Sequence, residues 1–119
     1  MRYIHKILLA SIFLFSCSKE GVRPIATNNT IITTGHYFSP LLLNCNIGDT
    51  IFFELGPTHN AIEVSEENYN ANSSIPLTNG FQFDFGESGF YIPNEAKTYY
   101  FVCTPHLPQM KARIVVDIN

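Results

Sequence analysis

Three side chains that can bind a transition metal lie close together near the C-terminus of this chain of 119 residues. The stretch CTPHLPQM, residues 103–110, contains the thiol of Cys103, the imidazole of His106 and the thioether of Met110. Thiolate and imidazole are good copper ligands, and one cysteine, two histidines and a weakly bound methionine form a known trigonal copper arrangement. The spacing therefore indicates a copper site that still needs a second histidine.

The second histidine has to come from another part of the chain. His36 follows Gly35 in TTGHYFSP, and His59 lies between a Gly-Pro turn signal and the strand-like stretch NAIEV. Both histidines follow turn signals and are therefore expected at the end of a strand, so spacing alone does not choose between them. A competing interpretation involves no metal, because Cys45 and Cys103 of an exported protein could instead form one disulfide.

The N-terminus has the pattern of an export signal. Arg2 and Lys6 precede the apolar run ILLASIFLF, which is too short to span a bilayer but has the length of a signal-peptide core. The run ends in LFSC, residues 14–17, which resembles the lipobox of bacterial lipoproteins. We therefore expect residues 1–16 to be a lipoprotein signal peptide and Cys17 to be lipidated after cleavage.

The rest of the chain is expected to form a tether and a single domain. Residues 17–29 show no periodicity and contain Gly, Pro and Asn, so they are predicted to tether a domain of residues 30–119 to the membrane. The expected location is the cell envelope of a bacterium, at the periplasmic face or the outer membrane. Cleavage would remove two of seven basic residues and none of ten acidic ones, leaving a formal charge of −5. This charge gives no reason to expect nucleic-acid binding.

The domain is predicted to be all-β. Strand-like stretches follow one another from residue 30 onward: TIITT, LLLNCNI, TIFFEL, NAIEV, FQFDF, TYYFVC and ARIVVDI. Seven or eight short strands indicate a β-sandwich or a small barrel. In the last strand Ala112, Ile114, Val116 and Ile118 are expected on one face, because successive side chains alternate across a sheet. SEENYN, residues 65–70, is the one candidate for a short helical turn.

Four ordered motifs resemble those of the cupredoxins, the blue copper family that includes plastocyanin, pseudoazurin and amicyanin. FSP at residues 38–40 and LNCNIGDTI at 43–51 are similar to the family's entry into its second hairpin. THNA at 58–61 is similar to the segment with the first copper ligand, and YYFVCTPH at 99–106 resembles the segment with the next two. MKARIVV at 110–116 resembles the family's ending. The resemblance implies a cupredoxin-like Greek-key β-sandwich of seven to eight strands.

The same resemblance implies one type 1 copper ion with four ligands. These ligands are His59, Cys103, His106 and Met110. His36 then falls outside the site, and Cys45 occupies a position where the family has a buried aliphatic residue. A disulfide becomes unfavourable, because it would consume the thiolate that copper needs.

Residues beside the ligands also acquire roles from the resemblance. Asn60 is expected to tie the two ligand loops together, with Thr104 and Pro105 in the second loop. Pro105 has no backbone N–H to donate to the Cys103 sulfur, and a sulfur with fewer donors favours a higher reduction potential. The gap before Met110 differs by one residue from the closest family patterns, so Gln109 is the alternative axial ligand.

The implied function is single-electron transfer by a carrier that is not itself an enzyme. His106, Leu107 and Pro108 are expected to form an apolar patch that docks transiently with a redox protein such as a cytochrome or a copper enzyme. We expect a monomer held at the membrane by its lipid. Two alternatives remain open: a protein that stores or delivers copper without a redox partner, and a metal-free sandwich with a Cys45–Cys103 disulfide.

Overall fold

The computed structural model describes residues 29–118. The elements of this part are β1 (Thr30–Thr34), β2 (Tyr37–Ser39), β3 (Leu42–Asn46), β4 (Ile51–Glu54), β5 (Ala61–Val64), α1 (Glu66–Asn70), β6 (Gln82–Phe83), β7 (Ser88–Tyr91), β8 (Thr98–Val102), a 3-10 turn (Thr104–His106) and β9 (Lys111–Asp117). The predicted signal peptide and nearly all of the predicted tether lie outside the described residues. Among the described residues, no helix has the length and apolar character needed to cross a membrane.

The strands form two sheets that enclose one core. One sheet has the order β2-β1-β4-β7, and the other has the order β3-β9-β8-β5-β6. β1 runs parallel to β4 and β3 runs parallel to β9, whereas all other pairs are antiparallel. The neighbours in each sheet are mostly distant in sequence, as the Greek-key connections of sandwiches require. The all-β sandwich prediction is confirmed.

The described residues contain nine strands rather than seven or eight. The two strands without a sequence signal are β2, which has only three residues, and β7, whose SGFY sequence includes a glycine. Glycine weakens a strand signal because it adds no side chain for packing. β6 is also shorter than the FQFDF pattern predicted, since only Gln82 and Phe83 pair with β5.

Two local predictions had different outcomes. The helical turn predicted in SEENYN is α1, which begins after Ser65, and the Ser65 hydroxyl accepts a hydrogen bond from the Asn68 N–H. Such a cap satisfies a backbone donor that a helix leaves unpaired at its start. The prediction for Ile118 was wrong. It lies beyond the end of β9 and is 76% exposed, because no strand pairs with the chain at that point.

The core is rich in phenylalanine and holds the strand that carries the cysteine. The rings of Phe53 and Phe83 stack at 4.4 Å between centroids, and those of Phe38 and Phe101 meet edge to face at 4.7 Å. Phe101, Val102 and Cys103 are all fully buried. Aromatic packing of this kind adds to ordinary burial, so the end of β8 has a firmly held position.

Candidate metal centre

Strand pairing brings the first histidine to the cysteine. β5 and β8 are antiparallel, and Ile62 of β5 faces Val102 of β8. The start of β5 therefore lies beside the end of β8. His59 comes just before β5 and Cys103 comes just after β8, so the two side chains meet although 44 positions separate them in sequence.

The loop from β8 to β9 carries the other candidate ligands and closes on itself. The Cys103 N–H donates to the Met110 carbonyl at 3.0 Å, and the His106 N–H donates to the Cys103 carbonyl at 3.1 Å. The Met110 N–H in turn donates to the His106 carbonyl at 3.0 Å. This last bond spans four positions, so the three residues between His106 and Met110 fit into one tight turn. The spacing that differs from the family pattern thus forms a compact loop.

Three donor atoms converge at this end of the sandwich. The ligand atoms of His59, Cys103 and His106 all lie within 4.8 Å of one another. The Cys103 Sγ lies 3.7 Å from Nδ1 of His59 and 3.3 Å from Nδ1 of His106. Atoms that bind one ion at about 2.0–2.3 Å are separated by roughly 3–4 Å, so this cluster fits a metal. One thiolate with two imidazoles is the trigonal set that suits copper.

The buried side chain next to this cluster is Met110, not Gln109. Met110 has no exposed surface and belongs to the same core cluster as Cys103, whereas Gln109 is exposed. A buried thioether can take the weak axial position of a copper site. His59, Cys103, His106 and Met110 together form a typical type 1 copper site.

Burial and two backbone amides act in opposite directions on the cysteine. Burial raises the pKa of the Cys103 thiol, and the backbone N–H groups of Asn60 and His106 lower it by hydrogen bonding to the sulfur. Pro105 has no N–H, so residue 105 adds no donor to the sulfur, and the higher reduction potential that this favours stays a prediction.

His59 is held in the form that binds a metal. It is 7% exposed, and this burial, together with the neighbouring His106 and His36, lowers the pKa of its imidazole. A hydrogen bond from the ring to the backbone of Gly35 acts in the opposite direction. A histidine must be neutral to coordinate a metal, so burial favours the ligating state. The bond to Gly35 also orients the ring.

Asn60 connects the two segments that carry the ligands. Its side-chain carbonyl accepts the Thr104 N–H at 2.9 Å, and its amide donates to the Thr104 hydroxyl at 3.1 Å. This reciprocal pair joins the residue after His59 to the residue after Cys103. The tie implied by the family resemblance is present.

His36 is outside the donor cluster but is in contact with it. The three-residue cluster does not include His36, yet its ring stacks on that of His106 with centroids 4.0 Å apart. Sequence reasoning missed this contact, because only the pairing of β1 with β2 brings His36 to the site. Around His106, Leu107 is half-buried and Pro108 is exposed, as an apolar surface patch would require.

The disulfide alternative is inconsistent with the sheet. Cys45 and Cys103 are both free and buried. Cys45 pairs with Val116 near the end of β9, whereas the backbone N–H of Cys103 donates a hydrogen bond to Met110, just before the start of β9. Met110 and Val116 are six residues apart, which corresponds to about 20 Å along a strand. A disulfide needs Cα atoms within about 7 Å, so these two thiols cannot be joined in this fold.

Solved structures with a similar fold include a pseudoazurin, a purple cupredoxin and an amicyanin. The pseudoazurin of Methylobacterium extorquens AM1 is 20% identical, covers 76% of this chain and 75% of its own, and has a TM-score of 0.58. A purple cupredoxin from Nitrosopumilus maritimus is 21% identical over 76% of this chain and 100% of its own, with a TM-score of 0.56. A reduced amicyanin mutant is 22% identical, covers 74% of this chain and 80% of its own, and has a TM-score of 0.54.

A protein-family model identifies the family, although no individual curated sequence does. A search of curated protein sequences finds no significant match to this chain. The family model described as "Copper binding proteins, plastocyanin/azurin family" matches residues 26–117, which include every ligand of the site. With this match, the sandwich fold and the converging donors, the chain belongs to the plastocyanin/azurin family of copper-binding proteins and is a cupredoxin.

Proposed function

We propose that this protein carries single electrons between redox partners in the cell envelope. The observation that supports this most directly is the convergence of one thiol and two imidazoles within 4.8 Å at the end of a packed β-sandwich. Copper bound by such a set alternates between Cu(II) and Cu(I), with soft ligands favouring Cu(I).

The fold keeps the side chains that donate to the metal in fixed positions. His59 and Cys103 are buried, and the Asn60–Thr104 pair fixes their segments to one another. Met110 is buried in the core, and its backbone closes the ligand loop. Donors that are held in place need little rearrangement between the two oxidation states, which favours fast transfer.

The route to a partner runs through His106. This residue is half-buried, whereas His59 is almost fully buried, so the His106 side is the accessible edge of the site. Leu107 and Pro108 beside it supply apolar surface for a short-lived contact. The formal charge of −5 that remains after cleavage of residues 1–16 supports a partner with a basic docking surface, such as a cytochrome or a copper enzyme.

We propose that the protein acts as an electron carrier and not as an enzyme. Within residues 29–118, the donors that can hold a metal form a single cluster. An ion bound by all four ligands would leave no position for a substrate. We propose that the protein acts as a monomer.

The function is tested by adding Cu(II) to the purified apo protein and recording the visible spectrum and a voltammogram. We expect intense thiolate-to-copper absorption and a reversible one-electron wave. A protein that only stores or delivers copper would instead lose the metal rapidly to a chelator and show no stable cycling. Absence of intense absorption would contradict the proposal.

Cell-envelope location is proposed from the lipobox resemblance at Cys17. Labelling of growing cells with a radioactive fatty acid should label the wild type and not Cys17→Ser. The variant should also fractionate as a soluble protein, while the wild type requires detergent. An unlabelled wild type would show that the leader is an ordinary signal peptide.

A further inference from the structure

The turn between β1 and β2 lies against the metal centre. Thr34 faces Tyr37, so the hairpin is closed by just two residues, Gly35 and His36. Gly35 has a φ of +58°, and a positive φ at the first central position is typical of the type II′ turn. Glycine adopts this conformation without the steric cost that other residues incur. The turn thus places His36 at the tip of a short, tightly closed hairpin.

Both residues of this turn contact a histidine of the copper site. The His59 ring presents Nδ1 to the Cys103 sulfur, and the ring hydrogen-bonds to the Gly35 backbone. The His36 ring lies on the His106 ring, with centroids 4.0 Å apart and planes inclined by 20°. The distance from the His36 ring to the His59 ring is longer, at 6.0 Å, and the two rings are nearly perpendicular. The hairpin tip therefore supports His59 through its backbone and His106 through a side chain.

His106 needs such support more than His59 does. His59 is 7% exposed and hydrogen-bonded, whereas His106 is half-buried in a loop where Pro105, Pro108 and Gln109 are exposed. A half-exposed imidazole can swing away from the metal unless neighbouring groups restrict it. The parallel His36 ring covers one face of His106 and limits this movement.

The stacked geometry also indicates which role His36 does not have. Two rings with nearly parallel planes lie face to face, so their nitrogens do not converge on one point between them. The donor cluster accordingly contains His59, Cys103 and His106 without His36. His36 is therefore placed to contact a ligand rather than to act as one.

We propose that His36 is a positioning residue that holds the His106 imidazole in its ligating orientation and so influences the reduction potential of the site. The inference rests on the proposed function, because it takes His106 to be a ligand of a redox-active copper ion. Loss of the stack frees the His106 ring and weakens its coordination. Cu(II) depends more on nitrogen donors than Cu(I), which the soft cysteine and methionine already favour, so the potential should rise.

Two variants separate the ring stack from simple filling of space. His36→Leu keeps the bulk of the side chain and removes the ring, whereas His36→Phe keeps a ring that can stack. In the apo protein, the NMR cross-peaks between the ring protons of His106 and those of His59, whose ring centroids are 4.8 Å apart, should weaken in His36→Leu and stay close to the wild type in His36→Phe. This measurement requires no metal.

The copper-loaded variants test the effect on the site. A stacked aromatic pair contributes enough to change an equilibrium by about three- to tenfold. His36→Leu should favour Cu(I) over Cu(II) by this factor, and tenfold corresponds to about 59 mV in a one-electron potential. His36→Phe should keep the preference for Cu(I) over Cu(II) within about twofold of the wild-type value. Both variants should remain blue.

The outcomes distinguish this inference from the proposed function. A blue wild type in which His36→Leu changes neither the His59–His106 cross-peaks nor the potential would overturn the inference alone. So would a His36→Phe protein that behaves like His36→Leu. A wild type that binds no copper with intense absorption would overturn the proposed function and this inference together.

Discussion

The buried side-chain carboxyl of Glu63 accepts a hydrogen bond from the backbone N–H of Phe81 at 3.0 Å. Glu63 is only 3% exposed, although it lies in β5 among apolar neighbours. A Cβ on Gly80 would lie 2.9 Å from the Glu63 Cβ, so glycine lets the loop before β6 approach this closely. Burial raises the pKa of the Glu63 carboxyl, and the Phe81 N–H opposes that effect only in part.

Glu63→Gln should stabilise the apo protein at neutral pH. Because the folded-state pKa of Glu63 lies above the ordinary 4.5, the folded protein holds this proton more tightly than the unfolded chain does. Stability therefore falls as the pH rises from about 4.5 through the folded-state pKa. The amide removes the buried charge and can still accept the Phe81 N–H. Thermal unfolding should show a higher Tm for the variant at pH 7 and a much smaller difference at pH 4.

The control for this prediction is Glu54→Gln, at an exposed position in β4. It should shift the Tm little at either pH. A Glu63→Gln protein that is less stable than the wild type at pH 7 would show that the buried carboxylate has a favourable partner.

Asn60→Ala should weaken the link between the ligand segments. It removes both hydrogen bonds to Thr104 and leaves a part-buried N–H without its acceptor. An unsatisfied group of this kind costs about 1–3 kcal/mol in the free energy of unfolding. Urea denaturation of the apo protein measures the loss, and copper affinity should fall as well.

Thr104→Val provides a graded comparison with Asn60→Ala. It removes the bond to the hydroxyl and keeps the bond from the Thr104 N–H, so its cost should be smaller. Asn44→Ala, at an exposed position in β3, should change stability by less than about 0.5 kcal/mol. An Asn60→Ala effect no larger than that of Asn44→Ala would contradict a linking role.

Cys103→Ser should abolish the intense visible absorption of the copper protein while the sandwich stays folded. Cys103 is the one cysteine in the donor cluster formed by the described residues. Cys45→Ser is the matched control, since Cys45 is also buried but faces Val116 on another part of the sheet. It should retain the colour and lose about 1–3 kcal/mol of stability if the hydroxyl finds no partner. Bleaching by Cys45→Ser would mean that the thiolate is misassigned.

Met110→Leu should keep the blue colour and raise the reduction potential. The axial bond is weak, so its loss leaves the trigonal set intact, but one donor to Cu(II) disappears. We expect a rise of about 60 mV or more, which corresponds to a tenfold change in relative affinity. Voltammetry measures the shift. Gln109→Leu, at the exposed neighbouring position, should change the potential far less. The reverse order would identify Gln109 as the axial ligand.

Much of the site was predictable because its chemistry is local. Cys103, His106 and Met110 lie in one loop, and their residue types and spacing indicate a copper site without further information. The buried alternation of Ala112, Ile114 and Val116 likewise predicts the last strand, because a strand repeats every two residues. Ligand chemistry and strand periodicity are properties of short segments, so the sequence carries them directly.

The remaining features depend on which strands become neighbours. Strand-end context does not separate His36 from His59; the resemblance of THNA to a family motif selects His59, and the pairing of β5 with β8 explains how it reaches Cys103. The stack of His36 on His106 requires the β1–β2 hairpin to reach the loop after β8, a contact between residues 70 positions apart. Such contacts arise from the packing of two whole sheets. The sequence by itself therefore determined the ligand chemistry, the fold class and, through the family resemblance, the four expected ligands, whereas the tertiary structure decided that His36 lies against His106.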